Sequence, residues 1–537
     1  MRVNVSDFLR EAAERAPHDE ALVEYHTQRR SLTWAQFAAE AEHLSRALSA
    51  HGLVAGHRVA LVMANGIDLA IAYYAVLQRG YVAVPMNPRA TPDEIHWMLA
   101  DSGSRIVLTD STGFANVGDA GDVLVVGEGE SSPAGTHHMT WREFLADATD
   151  SAAAAPADPE ALAVLLYTSG STGSPRAAML SHRALIANIN QIGRITPPPL
   201  SADDVCLILL PLFHIYGLNA ILGQAVALGA RCVFVDGFDP DAVLQLIVDE
   251  QITNVPVAPP VIAAWAGRDN LAGYLRGVRT ILSGASALDP DLAVDFERSC
   301  GKVVEQGYGL TEAAPVIATT LGGPDPDHDG RLGARPQAGS VGKPLPGIEM
   351  KIIEPAGTEA KRGDPAQIWV RGPNLFSGFW PDGSDGPRAD GWFATGDVGY
   401  IDDSGDLMLV DRVRELVIVS GFNVYPREVE NVIEQLPGVS QVAVVGVPDA
   451  VTGEAVLAYV VPEPAHDPAN QATEHHVTEH HVTEHHIIEH CRTRLARFKQ
   501  PKRVILVDYL PKSATGKIAK GRLRALARST ELGLDGP

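Results

Sequence analysis

Cysteine, basic charge and long apolar runs are all scarce in this 537-residue chain. The four cysteines, at positions 206, 232, 300 and 491, share no short spacing, which argues against a disulfide framework or a zinc site and is typical of a reducing compartment. Lysine and arginine number 43 against 66 aspartates and glutamates, and the net charge of -23 disfavours binding to nucleic acid or to an anionic membrane. An anionic ligand therefore needs a locally basic site.

The sequence also lacks any run of about 18 uncharged apolar residues, so it predicts no transmembrane helix. Its N-terminus, MRVNVSDFLREAAERAPHDEA, carries charges where a signal peptide needs an apolar core. We therefore expect a soluble, cytoplasmic protein. A chain of this length exceeds a single hydrophobic core and predicts roughly two to four domains.

Helix and strand signals alternate through the first half of the chain. Thr33 and Gln36 have capping-box spacing, and a helical stripe of apolar residues follows them up to Gly52. The strand RVALVMANG, the buried helix IDLAIAYYAVLQRG and the strand YVAVPMNP come next. Such units build largely parallel sheets with helices on both faces. The predicted fold class is therefore α/β, with doubly wound sheets in a large N-terminal domain.

Beyond Gly339 the sequence changes to short strands and turns, such as MKIIEP, QIWVRGP and DLMLVDR, which indicate a β-rich subdomain. A small α+β unit follows, made of the strand ELVIVSG, a helix over 426–435 and the strand QVAVVGV. We place the boundary at about 411–414. It divides the chain into a large N-terminal domain, 1–411, and a small C-terminal domain, 412–537.

The segment TEHHVTEHHVTEHHIIEH, residues 473–490, repeats five residues and holds seven histidines. Histidines four apart on a helix can grip a transition metal. A repeat expansion in an exposed segment explains the same pattern, and we expect no required metal there.

The stretch YTSGSTGSPRAAML, residues 167–180, is rich in hydroxyls and glycine and contains one cation, Arg176. Gly170 and Gly173 allow the backbone to approach a ligand closely, and converging N–H groups with Arg176 favour anionic oxygens. The sequence is not a Walker loop, because Pro175 precedes the cation and AAML has the pattern of a strand. Taken alone, it predicts either a phosphate loop or a linker.

Six further stretches accompany that loop. In order they are PLFHIYGLN, QGYGLTEAAP, GSVGKPLPG, GWFATGDVGY, VDRVRELVIVSGFNVYPREVE and LPKSATGKIAKGRLR. With them the chain resembles the adenylate-forming superfamily over about residues 10–528, and it is most similar to fatty-acyl-CoA and 4-coumarate-CoA ligases. The resemblance implies that the loop binds ATP phosphates and that ATP lies between the two domains.

The resemblance also assigns residues to the nucleotide. Tyr308 would lie against the adenine, Asp397 and Arg412 would bind the ribose, Thr311 would contact the α-phosphate, and Glu312 would bind the Mg²⁺ that bridges phosphate oxygens. The full set implied for ATP or AMP is Thr168, Ser169, Gly170, Ser171, Thr172, Gly173, Arg176, Gln306, Gly307, Tyr308, Gly309, Asp397 and Arg412.

For the acyl group, the resemblance implies that His214 and Tyr216 line a pocket beside the reacting carboxylate. Gly284 and Ala285, in SGASAL, would form its small-residue wall, although tight packing explains those residues equally.

Lys517, in SATGKI, would reach the carboxylate and the α-phosphate, because an anion attacking an anion needs a positioned cation. For the CoA step, Arg414 would act as the hinge, and the segment of Ser420, Gly421 and Phe422 would border the pantetheine tunnel. Residues 492–528 carry twelve basic residues and one acidic residue, which suits CoA phosphates or simply a solvated basic face.

Two positions depart from the family pattern. Arg176 stands where lysine is usual, and Ala177 stands where glycine is usual, so Ala177 would be strained if its φ were positive. At the position of Ile418 coumarate-type relatives often have lysine, whereas fatty-acyl relatives resemble this sequence. This position therefore favours an aliphatic substrate.

Together these observations predict an AMP-forming, ATP-dependent acyl-CoA synthetase that uses ATP, Mg²⁺ and CoA and acts on a carboxylic acid, with a fatty acid expected. The main alternative is a fatty-acyl-AMP ligase that passes the acyl group to a carrier protein. An amino-acid-activating domain would carry an aspartate near PLFHIYG, and this sequence has none there. A luciferase-like oxygenase is a remote alternative. A homologue that only binds nucleotide is disfavoured because Glu312, Asp397, Arg412 and Lys517 are all intact. The sequence leaves open whether the chain forms a homodimer.

Overall fold

A computed structural model of the protein describes residues 2–25, 28–128, 137–148, 157–168, 175–286, 288–322, 337, 339–412, 415–419, 422–449, 452–463, 482–512 and 518–531. Within these ranges the helices are α1 (Asp7–Arg15), α2 (Trp34–Ala50), α3 (Ile67–Gln78), α4 (Pro92–Ser102), α5 (Ser111–Val117), α6 (Trp141–Ala146), α7 (His182–Ile192), α8 (Gln224–Leu228), α9 (Pro240–Asp249), α10 (Pro259–Trp265), α11 (Leu271–Tyr274), α12 (Pro290–Cys300), α13 (Pro426–Glu434), α14 (Glu484–Arg492) and α15 (Lys520–Glu531).

The strands fall into four sheets. They are β1 (Glu20–Tyr25), β2 (Arg29–Thr33), β3 (Arg58–Val62), β4 (Val82–Pro85), β5 (Ile106–Thr109), β6 (Leu124–Val126), β7 (His138–Met139), β8 (Leu162–Thr168), β9 (Arg176–Ser181), β10 (Val205–Ile208), β11 (Arg231–Phe234), β12 (Asn254–Val257), β13 (Thr280–Ser283), β14 (Glu305–Gly309), β15 (Val316–Thr319), β16 (Lys343–Pro344), β17 (Glu349–Ile353), β18 (Ala366–Arg371), β19 (Phe393–Ile401), β20 (Leu407–Arg412), β21 (Val417–Val419), β22 (Phe422–Val424), β23 (Val439–Asp449), β24 (Gly453–Pro462) and β25 (Arg503–Leu506).

The first sheet has seven strands in the order β7-β6-β5-β3-β4-β8-β9. All its pairs are parallel except the last, where β8 and β9 form an antiparallel hairpin. The hairpin opens at the end where the phosphate loop is expected.

The second sheet has nine strands in the order β16-β15-β14-β13-β12-β10-β11-β1-β2. Its centre, from β1 to β14, is parallel, and antiparallel strands close both edges. The carboxyl ends of the parallel strands, where open α/β sheets bind ligands, therefore include the ends of β13 and β14.

The predicted helices α2 and α3 are confirmed, and both are tied to the main core. Thr33 and Gln36 form the predicted capping box at the start of α2. Ten of the twelve residues of α3 are buried, in keeping with its nearly continuous apolar sequence. Side chains of α2, α3, α7 and α8 share one core cluster with strands of both large sheets. This packing holds the two sheets together.

The other two sheets lie later in the chain. Strands β17 to β20 form an antiparallel four-stranded sheet, which is the predicted β-rich subdomain. The small C-terminal unit is the five-stranded sheet β22-β21-β24-β23, with β25 paired to β24, together with α13 to α15. The helix predicted over 426–435 is present as α13, ending one residue earlier. The predicted α/β class, with a separate small C-terminal unit, is confirmed.

Among the described residues, no helix is both long and apolar enough to span a membrane.

Candidate active site

Thr168 and Arg176, which flank the predicted phosphate loop in the sequence, end β8 and begin β9 of an antiparallel hairpin. Thr168 pairs with Arg176 across the hairpin, and its hydroxyl donates to the Arg176 carbonyl oxygen at 3.3 Å. Ala177 pairs with Tyr167 in the strand, and its φ is not positive, so the strain considered for a non-glycine residue is absent. Ser169, Gly170, Ser171, Thr172 and Gly173 lie outside the described residues.

Arg176 is engaged by a turn far away in the sequence. Its guanidinium donates to Asp385 Oδ2 at 2.8 Å and to Ser384 Oγ at 3.3 Å, and it lies 3.9 Å from the centre of the Phe379 ring. The arginine that replaces the usual lysine is therefore oriented by forked donors and a ring face, which a lysine ammonium would use less well.

The chain segment around residue 376 links the hairpin to the predicted Mg²⁺ residue. The N–H of Phe376 donates to the Glu312 carbonyl oxygen at 2.9 Å, and the N–H groups of Ser377 and Trp380 donate to Met179 and Ala177 at 2.9 Å each. Thus a single extended stretch contacts both β9 and the turn that carries Glu312. The β8–β9 hairpin, called the phosphate hairpin below, and the turn that carries Glu312 are therefore neighbours, as a site for ATP requires.

The turn itself is a single 3₁₀ segment, Thr311–Ala313, that follows β14 directly. Glu312 and Thr311 are half-buried there. Gly309 is required just before the turn, because a Cβ at that position would come within 2.1 Å of the Pro315 carbonyl oxygen. The close approach of the two backbones thus explains the glycine in GYGLTE.

Tyr308 and Asp397 meet although 89 residues separate them. The Tyr308 hydroxyl donates to Asp397 Oδ2 at 2.7 Å, and both side chains are buried. Asp397 lies in β19 opposite Arg412 of β20, so the three residues assigned to adenine and ribose lie together at backbone level. Gln306, the first residue of the motif QGYGLTEAAP, is also buried, and its N–H donates to Thr320 Oγ1 at 2.8 Å.

The residues assigned to the acyl group form a wall beside the end of β13. Tyr216 begins a π-helical segment, Tyr216–Gly223, a backbone form often found at functional sites. Its hydroxyl donates to the Leu282 carbonyl oxygen at 3.2 Å, and burial raises the pKa of that hydroxyl. A Cβ on Gly284 would stand 2.7 Å from the Tyr216 ring, so only glycine lets the ring lie there.

Ala285 and His214 are the other two residues assigned to this wall. Ala285 follows with φ of 69°, a left-handed conformation that costs a residue other than glycine about 1 kcal/mol or more. His214 is half-buried two residues before Tyr216, and its ring centre lies 4.6 Å from that of Phe213.

The sequence also predicts functional residues in and near the C-terminal unit. Lys517, Arg414, Ser420 and Gly421 lie outside the described residues, while Phe422 begins β22. Their assigned roles stay predictions.

Sequence reasoning missed Lys520, which stands at the start of α15. Its ammonium lies 2.9 Å from a carboxylate oxygen of Glu415 and 2.9 Å from one of Glu430. Burial lowers the pKa of this ammonium, but the two carboxylates outweigh burial and hold the pKa above its usual value. Its position three residues after Lys517 in a basic tail gave no signal of burial.

Sequence reasoning also missed Glu305, a buried carboxyl at the start of β14. The only sequence signal was an acidic residue directly after two valines, 303 and 304.

The chain is similar in sequence to known enzyme families and to individual ligases. Residues 9–380 match the profile of the AMP-binding enzyme family, and residues 428–517 match that of the AMP-binding enzyme C-terminal domain. The 4-coumarate--CoA ligase-like 9 of Oryza sativa subsp. japonica is 32% identical over 97% of this chain and 92% of its own length. A long-chain-fatty-acid--CoA ligase of Bacillus subtilis is 29% identical over 97% of this chain and 94% of its own length.

Among solved structures, ATP-bound MatB from Rhodopseudomonas palustris superposes with a TM-score of 0.84 at 30% identity, covering 99% of this chain and all of that one. Both domains are therefore matched, in order, over nearly the whole length. The chain belongs to the AMP-binding enzyme family, that of the adenylate-forming acyl-CoA ligases.

Proposed function

We propose that the protein is an AMP-forming acyl-CoA synthetase that activates a carboxylic acid with ATP and transfers it to CoA. The observation that carries the proposal is the contact of Tyr308 with Asp397 next to the Thr311–Ala313 turn, while the phosphate hairpin contacts the same turn. The residues assigned to adenine, ribose and phosphate thus come from three sheets that meet near the carboxyl end of β14.

In the first step, an oxygen of the acyl carboxylate attacks the α-phosphorus of ATP, and pyrophosphate leaves. Arg176 holds the outer phosphates through its forked donors, and Thr311 donates to the α-phosphate. Lys517 approaches the carboxylate and the α-phosphate from the C-terminal unit, where negative charge accumulates in the transition state. Asp397 accepts hydrogen bonds from the ribose hydroxyls while Tyr308 holds its carboxylate in place.

A magnesium ion fits the chemistry of this site. Glu312 offers a hard carboxylate oxygen on the turn next to the phosphate hairpin, and the phosphates supply further oxygens. When bound, Mg²⁺ draws charge off the leaving pyrophosphate. Glu312 and the substrate would hold it.

In the second step, the CoA thiol gives up its proton to solvent, its sulfur forms a bond to the acyl carbonyl carbon, and the C–O bond to AMP breaks so that AMP leaves with the electron pair as a phosphate monoester anion. The segment at 420–422 is assigned to the pantetheine arm, and Arg414 to the hinge between the two steps. The aliphatic, fatty-acid specificity stays a prediction, since the relatives carry the names of both coumarate-like and long-chain ligases. We expect the activity to be cytoplasmic.

The test is to measure pyrophosphate and AMP release with ATP, Mg²⁺ and a panel of carboxylic acids, with and without CoA. We expect CoA-dependent turnover, and a fall of roughly a hundred- to a thousandfold in Lys517→Ala. Lys361→Ala, which removes an exposed lysine from the turn between β17 and β18, is the matched control and should keep full activity.

Two results would contradict the proposal. Pyrophosphate release that stops near one equivalent despite CoA would indicate the carrier-protein ligase instead. Lys517→Ala as active as Lys361→Ala would show that the C-terminal lysine takes no part in adenylation.

A further inference from the structure

Glu305 is a buried carboxyl with a neutral hydrogen-bond partner. It is 5% exposed, and its Oε2 accepts a hydrogen bond from Thr320 Oγ1 at 2.5 Å, the one hydrogen bond it makes among the described residues. Burial raises the pKa of this carboxyl to about 7, and the Thr320 hydroxyl offsets the effect only in part. An apolar residue would fill the strand at lower cost, because a buried carboxyl with one neutral partner is poorly compensated.

The strand register places Glu305 on the face that carries the acyl wall. In the parallel pair β13–β14, Leu282 is opposite Glu305, and Ser283 is opposite Gln306. Side chains alternate along each strand, so Leu282 and Gly284 share a face with Glu305 and Gly307. The Tyr216 ring lies over this same face, since a Cβ on Gly284 would meet it at 2.7 Å.

Open space lies above the next residue on that face. A Cβ on Gly307 would meet only Leu282 Cδ1, at 3.9 Å, among the described atoms within 4 Å. Gly307 therefore forms the floor of a slot that the Tyr216 ring and Leu282 border. Glu305 lies one strand repeat, about 7 Å, further from the carboxyl end of β14, where the Thr311–Ala313 turn carries the adenylation residues.

An acyl group whose carboxylate is at that turn would extend along the slot toward Glu305. We propose that Glu305 is a specificity-determining residue that binds a hydrogen-bond donor, hydroxyl or amino, at the far end of the acyl group. The inference rests on the proposed ligase function and narrows its substrate class to acids with a polar tip. Such a donor gives the carboxyl its second partner, whereas an unsubstituted acid covers the carboxyl without satisfying it.

The test compares acids that differ only at the far end. The probes are cinnamate, para-hydroxycinnamate and para-aminocinnamate, together with decanoate and ω-hydroxydecanoate as a flexible pair. For each acid, kcat/KM of CoA-dependent AMP release is measured in the parent enzyme, in Glu305→Gln and in Glu305→Leu. The KM for ATP reports whether the adenylation residues remain intact in each variant.

We expect the parent to prefer a polar-tipped acid over its unsubstituted partner by roughly ten- to a hundredfold, the range of one hydrogen bond to a charged group. Glu305→Gln should retain part of this preference and Glu305→Leu should remove it. The hydroxyl and amino arms distinguish which donor the site takes. A purely structural role would instead lower activity with every acid and leave the ratio unchanged.

A parent enzyme without the preference, or a preference that survives in Glu305→Leu with an unchanged KM for ATP, would overturn the inference. If no acid in the panel supports pyrophosphate release, the proposed function fails on its own. Isothermal titration with the same matched acids then decides the role of Glu305. Tighter binding of polar-tipped acids by the parent, but not by Glu305→Leu, sustains it, and equal binding overturns it.

Discussion

Replacing Gly284 with alanine tests whether the Tyr216 ring needs the space above this glycine. The new methyl group would stand 2.7 Å from Tyr216 Cε1 and 3.0 Å from Cζ, so the ring must move. Movement of the ring also disturbs the 3.2 Å hydrogen bond from its hydroxyl to Leu282. Overpacking costs about 1–3 kcal/mol and the lost hydrogen bond about 0.5–1.5 kcal/mol, so we expect a loss of roughly 2–4 kcal/mol in the free energy of unfolding.

The chain offers a matched control one strand away. Neither Gly284 nor Gly307 has a positive φ, so alanine strains the backbone at neither position. The new methyl group of Gly307→Ala would meet only Leu282 Cδ1, at 3.9 Å. We expect this variant to be as stable as the parent but to accept bulky acids less well, because the methyl group narrows the slot.

Thermal melting and steady-state kinetics separate the two variants. Gly284→Ala should melt several degrees lower and raise the KM for the acid, with the KM for ATP unchanged. Combining Gly284→Ala with Tyr216→Leu should recover much of the lost stability, because the double variant no longer has the ring that the new methyl group would meet. Equal melting temperatures for Gly284→Ala and Gly307→Ala would refute the reasoning.

Three further outcomes follow from contacts within the described chain. Asp385→Asn frees Arg176 from an exposed ion pair and should lower the KM for ATP by up to about fivefold, an effect absent when Arg176 is methionine, as ATP titrations would show. Lys520→Met removes the nearest cation of the buried Glu430, at 2.9 Å against 3.8 Å for Arg427, and should destabilise the C-terminal unit by about 3–5 kcal/mol in melting experiments. Lys502→Met, at a lysine that is itself 63% exposed, should have little effect. The pKa of Glu305 is raised from 4.5 to about 7 in the folded state, so the contribution of this carboxyl to the free energy of unfolding is most favourable below pH 4.5 and falls as pH rises toward 7. Glu305→Gln should therefore gain up to about 3 kcal/mol on the parent between pH 5 and 8, and a constant difference in melting temperature across that range would contradict this expectation.

Much of the fold could be predicted from local patterns. The capping box at Thr33 and the nearly continuous apolar run of α3 each express a rule that acts within a few residues. The order of strands in the two large sheets could not be predicted, because it depends on which buried faces pack against each other across hundreds of residues. Helix ends differed by about one residue, as at α13, which ends at Glu434, three residues before Pro437.

The site was predictable only where its residues sit in one motif. Family resemblance identified Tyr308 and Asp397 separately, but their hydrogen bond joins two sheets and has no local signal. The same holds for the contact of Arg176 with Asp385, whose partners are 209 residues apart. Long-range polar contacts of this kind depend on tertiary packing, which no spacing rule encodes.

Glu305 shows why the face of a strand matters more than the motif beside it. A shift of one residue in the β13–β14 register would turn its carboxyl away from Tyr216 and bring Gln306 to the acyl face in its place. Polar specificity in this enzyme therefore depends on the register that Leu282 and Ser283 set, as much as on the acidic residue itself. A relative with the same QGYG motif but an apolar residue at this position would keep the adenylation site and lose the means to recognise a polar tip.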